Sequence, residues 1–314
     1  MENCDRGPLA ITQVDYNIQR YIYPVQLLFF LATVHRFWRA PTSSIIACKK
    51  SIICLTVLDF ILIVLMLPQS LASFQPFYTW EAFRRFCYRS TLTVVALSNA
   101  FSAIEIFISL LVSIECYLRF KSSSLVTVFN QTANFVKLVS LVTLVSFGLT
   151  SYHFFLYTTK EKFDCGGKKL LLQLYLSSNF VAQMVKFFSL SQAVLVIVIP
   201  SLAIVLINKK LSDLLDDRKF RLSEIECQEL FSQTESDDEL KKTIRRYLFQ
   251  ISAYFVFSHV MSFVPFLPDV FPIFNHPGFG YTISISNCLL LWGKLLTLNT
   301  IYKMCTSFSN ILIF

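Results

Sequence analysis

Charge and glycine are both scarce in this sequence. Only 15% of its 314 residues are charged, against 54% that are hydrophobic, too few charges for an ordinary soluble chain of this size. That excludes a cytosolic globule and points to a chain that crosses a bilayer repeatedly. With 7 glycines and 10 prolines there are few breaks, and the short alternating pattern of membrane strands is missing, so the crossings should be helices instead of a barrel. Histidine is scarcer still. The 4 present form no cluster with Asp or Glu at metal-ligand spacing, and no Ser/His/Asp set converges on one span, so neither an enzyme nor a resident metal or cofactor is expected. Nor is there a two-fold hydropathy repeat, which argues against a transporter or channel using intramembrane charges as a relay. The start lacks the basic, apolar and small-residue succession of a cleaved signal peptide, so the first span is expected to act as its own insertion signal.

What the chain does contain is a series of apolar runs. Residues 1–17 are polar and read as a loosely ordered tail. The runs follow as YIYPVQLLFFLATVHRF from Tyr21, SIICLTVLDFILIVLMLP with Asp59 at its centre, and the segment from Ser90 to Phe120. That third segment would be about 45 Å long at 1.5 Å per residue, enough to cross a hydrocarbon core of about 30 Å at a tilt. Four more runs cover Val136–Tyr157, the stretch ending at Asn208, Tyr247–Phe271 and Tyr281–Met304. The expected fold is therefore an all-α membrane protein, a seven-helix bundle over residues 18–304. Its one long charged loop is 209–246, and residues 305–314 form a short tail that could continue as an amphipathic helix.

The net charge of +8 is divided by apolar runs into short basic clusters, which membrane topology explains more simply than nucleic acid does. The loops after spans one, three and five, with the tail, hold about 17 Lys and Arg, against about 10 on the other side. Basic loops stay cytosolic, so the amino terminus is placed outside and the long loop inside. The 9 cysteines fall mostly within spans, which excludes a disulfide-dense scaffold.

Several motifs resemble those of the rhodopsin-like G-protein-coupled receptors. LTVLDF is similar to the family's second-helix L-x-x-x-D and puts Asp59 at its central carboxylate. Cys87 stands before the third helix, and SIECYLRF resembles S-I-[DE]-R-Y at that helix's cytosolic end. VIPSLAIVLIN, with Pro200 and Asn208, resembles the fifth helix of invertebrate FMRFamide-type neuropeptide receptors. YFVFSHVMSF resembles the sixth-helix F-x-x-C-[WH]-x-P region, and ISNCLLL opens the seventh in the manner of that branch. There are departures. Cys116 replaces the arginine that reaches into the G protein, Met261 replaces the sixth-helix proline, the fourth-helix tryptophan is absent, and N-P-x-x-Y is reduced to Tyr302 with Phe308 six residues on. Cys87 also lies about one turn further from Cys116 than the family's spacing.

The resemblance implies a plasma-membrane receptor for an extracellular ligand, a peptide in the first instance, signalling to a heterotrimeric G protein with atypical coupling. A chemosensory receptor for small molecules is the alternative, and an ion-coupled transporter a more distant one. It also implies a disulfide between Cys87 and Cys165, against the simpler reading of two free loop thiols. Asp59, Glu105 and Lys294 would meet at the family's sodium-holding cavity, with the Lys294 ammonium in place of the ion, unless Lys294 snorkels away and Glu105 finds a serine or water. Ser98, Asn99, Ser102, His259, Phe263 and Cys288 are candidate pocket residues, although ordinary helix packing uses the same types. Glu115, Cys116, Tyr117, Arg119, Asn208 and Tyr302 would form the G-protein face. There Arg119, at i+4, could supply the cation that Glu115 otherwise lacks.

Overall fold

The computed structural model describes residues 13–39, 49–121, 125, 129, 131–154, 157–164, 169–176, 179–216, 234–264 and 279–312. Among the described residues, seven long helical rods carry the fold. The first, α1, is built of Gln13–Asn17, Ile18–Ile22 and Tyr23–Arg39 in succession; α2 is Lys49–Leu71, α3 is Glu81–Phe120, and α4 is Thr132–Thr150 with a closing turn at Ser151–Phe154. Strands β1 (Tyr157–Asp164) and β2 (Lys169–Leu176) pair as an antiparallel hairpin, Tyr157 opposite Leu176 and Asp164 opposite Lys169. Then α5 is built of Asn179–Gln192, Ala193–Val198 and Ile199–Asp216, α6 is Thr234–Phe263, and α7 is Phe279–Leu312.

Two of the rods contain a widened π-turn, and the cause of both is proline. Proline lacks an N–H and its ring crowds the carbonyl four residues back, so the turn before it opens and the ladder shifts to i→i−5. Before Pro24, the Tyr23 N–H donates to the Ile18 carbonyl, and before Pro200 the Ile199 N–H donates to Val194.

Helix α3 is the axis. It packs against α2, α4 and α5, and its residues Ala96, Ala100 and Ala103 are fully buried. In a bilayer, lipid tails are as apolar as leucine, so close packing of small residues and interhelical hydrogen bonds must do what the hydrophobic effect does in water. Further along α3, Ile104, Ile108, Val112 and Cys116 recur at i+4 and join a core shared with Phe30, Ile52, Leu295 and Met304. Large apolar side chains face outward, among them Leu144 on α4 and Leu202 and Leu206 on α5, each more than half exposed. That inversion suits a surface solvated by hydrocarbon. Four helical segments, Lys50–Leu71, Glu81–Arg119, Thr132–Phe154 and Lys186–Leu214, are long and apolar enough to cross a membrane.

The helices run further than the apolar runs suggest. Residues 13–17 are helical, α5 and α6 extend into the stretch expected as a charged loop, and α7 runs unbroken to Leu312. Helix α6 begins at Thr234 and not at Tyr247, and α3 begins at Glu81 and not at Ser90. Its first turns hold the arginines expected in a loop. Glu81, in the first turn, pairs with Arg85 at i+4, and the Phe83 ring lies 5.3 Å from Phe77 and 6.3 Å from Phe86. These are helix-stabilising arrangements. Strands β1 and β2, between α4 and α5, are an exception to the expected all-α architecture.

Candidate functional site

Three charged side chains from three helices are buried together. Asp59 on α2 is 2% exposed, Glu105 on α3 5%, and Lys294 on α7 4%. Ser102 and Glu105 lie at i and i+3 on one face of α3, and Lys294 reaches both. Its Nζ donates to Ser102 Oγ at 2.7 Å and forms an ion pair with Glu105 Oε2. Asp59 lies within electrostatic reach of both partners, yet its Oδ1 accepts no hydrogen bond. The three therefore form a pair with a carboxyl beside it, and Lys294 does not snorkel outward.

The approach of α7 to α6 at this depth depends on Gly293. A Cβ there would lie 2.2 Å from Ser258 Cβ, so no larger residue fits without moving a helix. Next to Ser258, His259 is buried and stacked on Phe255 with ring centroids 3.9 Å apart, and its Nδ1 lies 2.7 Å from the Phe255 carbonyl and 3.0 Å from Ser258 Oγ. Cys288, one to two turns before Lys294, accepts at its carbonyl from Gln26 Nε2 at 3.1 Å, which ties α7 to α1. Of the six candidate pocket residues, Ser102, His259 and Cys288 are thus engaged in internal bonds, while Ser98, Asn99 and Phe263 are half-buried.

About three turns along α3 from Glu105 is a second buried carboxylate. Glu115 is 3% exposed. Ser51 Oγ of α2 donates to its Oε2 at 2.7 Å, and Arg119 reaches its Oε1 through Nη2 at 2.6 Å and Nε at 3.2 Å. Cys116 points into the core, where Ser109, Ser113, Asn208 and Thr297 join it around a gap of about 10 Å³, room for one water molecule. Asn208 Nδ2 donates to Ser252 Oγ at 2.9 Å and links α5 to α6. Tyr302 donates its hydroxyl to the Arg36 carbonyl at 2.9 Å and sets its ring edge-on to Phe37. Tyr117 is half-buried, with Lys121 Nζ 6.0 Å from its ring centre.

Cys87 carries a free thiol, buried, with Sγ 3.7 Å from the Pro68 carbonyl of α2. The bridge expected of it is not formed by this contact, and Cys165 lies outside the described residues.

Sequence reasoning passed over Ser51, Gln26, Ser258 and Gly293. Ser51 carried a weak signal as a lone hydroxyl at the start of a span, and Gly293 a stronger one, as one of so few glycines inside an apolar run beside a buried charge.

Long apolar helices with an outward apolar surface, and with Asp59, Glu105 and Lys294 buried between them, define a helical membrane protein. No protein-family model matches the chain. Over 261 residues, 77% of its length, it is 24% identical to a Caenorhabditis elegans protein named as a candidate G-protein-coupled receptor. The chain spans 59% of the length of that relative.

Proposed function

We propose that this chain is a seven-helix receptor of the plasma membrane, amino terminus outside, that binds an extracellular peptide and signals to a heterotrimeric G protein. The observation that carries the reading is the buried Lys294–Glu105 pair, which ties α3 to α7 between the candidate pocket residues and the Glu115 end. A ligand shifts such a bundle only by binding two arrangements with different affinity, and a buried tie between two helices gives those arrangements different energies. A ligand that prefers one arrangement 100-fold moves the balance by about 2.7 kcal/mol. The similarity to the nematode protein supports the receptor part of this reading.

On the cytosolic side Arg119 takes the part of the cation, since the buried thiol of Cys116 can offer neither charge nor a bidentate fork. Arg119 is 26% exposed on its side chain while held by Glu115. Coupling then requires Arg119 to leave a carboxylate to which it donates twice, and that makes it weak in the resting state.

The test exposes cells carrying the full chain to a peptide library, with G-protein dissociation and membrane current recorded together. Dissociation driven by a peptide, without current, is the expected result. Ligand-dependent current with no dissociation would overturn the reading in favour of transport, and dissociation driven only by small organic molecules would overturn the peptide assignment.

A further inference from the structure

The first turns of α3 carry three arginines that face two ways. Arg84 is buried, and its Nη1 donates to the Tyr78 carbonyl at 3.3 Å. Arg85 and Arg89 are exposed and stand one turn apart, at i and i+4, on the outward face of the helix. With Trp80, Glu81, Phe86 and Ser90 they line an open groove of about 930 Å³. Its aromatic wall is bare, Trp80 being 59% exposed and Phe86 54%. The indole is set by stacking on Phe83, 6.1 Å between ring centres and 15° between planes. Glu81 is ion-paired with Arg85, both half-exposed, and a pair so open to solvent holds weakly and yields to a better partner.

The groove begins where the polar layer of a bilayer begins. Between Arg89 and Arg119 the only charged residues of α3 are Glu105 and Glu115, and this stretch is about 45 Å long at 1.5 Å per residue. A bilayer with its headgroups is about 40–45 Å thick, so Arg89 falls at headgroup level. Beyond it the groove presents Arg85 and Phe86, and then Glu81 and Trp80 at its far end. Guanidinium groups donate in a fork to phosphate oxygens, while aromatic faces and a carboxylate attract a quaternary ammonium. That sequence is complementary to a zwitterionic headgroup, whose phosphate lies next to the glycerol and whose ammonium lies further out.

We propose that this groove is a lipid site for the phosphocholine headgroup of a bilayer phospholipid, with the phosphate on Arg85 and Arg89 and the ammonium against Trp80, Phe86 and Glu81. The site requires only that α3 crosses the membrane. Its assignment to the outer leaflet rests on the proposed orientation.

Native mass spectrometry of the full chain in detergent, titrated with dioleoyl phosphatidylcholine or dioleoyl phosphatidylglycerol, tests this. The two lipids share the phosphate and differ in the ammonium. Phosphatidylcholine should bind about five-fold more tightly, the gain from one well-placed cation–π contact. Arg89→Gln should weaken both lipids, and Trp80→Leu phosphatidylcholine alone. Glu81→Gln should weaken phosphatidylcholine and strengthen phosphatidylglycerol, because it removes a charge that attracts the ammonium and repels the phosphate. If a variant fails to fold, the preference of the unmodified chain still decides. Equal binding of the two lipids, or a rise of both in Glu81→Gln, would overturn the assignment in favour of a plain phosphate patch. A hexaglutamate peptide that binds through Arg89 when neither lipid does would overturn it in favour of an acidic ligand. No agonist or G protein enters the measurement, so its failure is separate from failure of the receptor reading.

Discussion

Lys294→Met should cost the protein a large part of its stability, and removing Glu105 as well should restore most of it. In the single variant a carboxylate 5% exposed loses its cation, and stranding one member of a buried pair costs about 3–5 kcal/mol. Glu105→Gln strands the ammonium, which keeps the Ser102 hydroxyl at 2.7 Å, so its cost falls near the lower end of that range. The double variant Glu105→Gln/Lys294→Met removes both members of the pair together. It retains an amide and the Ser102 hydroxyl, which can bond to each other, so a residual loss of about 1–2 kcal/mol is expected. The coupling between the two sites is then about 4 kcal/mol or more, well above the 0.5–3 kcal/mol usual for neighbours. Thermal unfolding of the four purified proteins in nanodiscs, followed by the helical signal and paired with cell-surface levels, measures the cycle. Two single variants each within about 0.5 kcal/mol of the parent, or effects that simply add, would refute a buried ion pair. Charge reversal, Lys294→Glu, would place three acidic groups together and should abolish surface expression. Unchanged expression would refute the pair equally.

Gly293→Ala should lower the unfolding midpoint, because its Cβ would meet Ser258 Cβ at 2.2 Å and the Ser258 backbone at 3.2 Å. Overpacking of this kind costs about 1–3 kcal/mol, and Ser258→Gly in the same chain should recover most of it. Ser51→Ala removes a 2.7 Å bond to Glu115 Oε2, worth about 1.5–3 kcal/mol, and loosens α2 from α3. With Arg119 then less firmly held, basal G-protein dissociation should rise in Ser51→Ala, while Arg119→Gln should lose dissociation at unchanged surface level. An Arg119→Gln protein that signals normally would remove Arg119 from the coupling face.

Most of the helical architecture was legible because apolar runs bounded by charge can hardly fold otherwise in a bilayer. Helix ends were harder to read. Hydropathy stops where lipid stops, but Glu81–Arg85 and the Phe77, Phe83 and Phe86 contacts continue α3 beyond that point by local interactions to which hydropathy is blind. In the buried cluster, the three charges were visible as residues out of place in apolar runs. Which carboxyl Lys294 would take was not visible, because that depends on helix rotation, and a difference of one residue turns a side chain by about 100°. Arg119 at i+4 from Glu115 could be read from spacing alone, whereas Ser51 comes from another helix and could not. Cys87 shows the same limit, since the motif named it while its surroundings on α2 depend on how far α3 extends past Ser90.

Helix α3 therefore holds two buried carboxylates with opposite obligations. Glu105 is bound across the bundle to α7, through a pair that only relative motion of the helices can open. Glu115 is bound along its own helix, to Arg119, and across the bundle to one neutral hydroxyl on α2. The energies of these ties differ accordingly, since a buried interhelical ion pair is costly to break, while a single serine bond costs about 1.5–3 kcal/mol. Motion that begins at the Glu115 end is thus the cheaper one, and Arg119 can be released there while Lys294 and Glu105 stay together. A full rearrangement must also separate the deeper pair. That ordering places the larger barrier at mid-depth, where the cluster joins α2, α3 and α7.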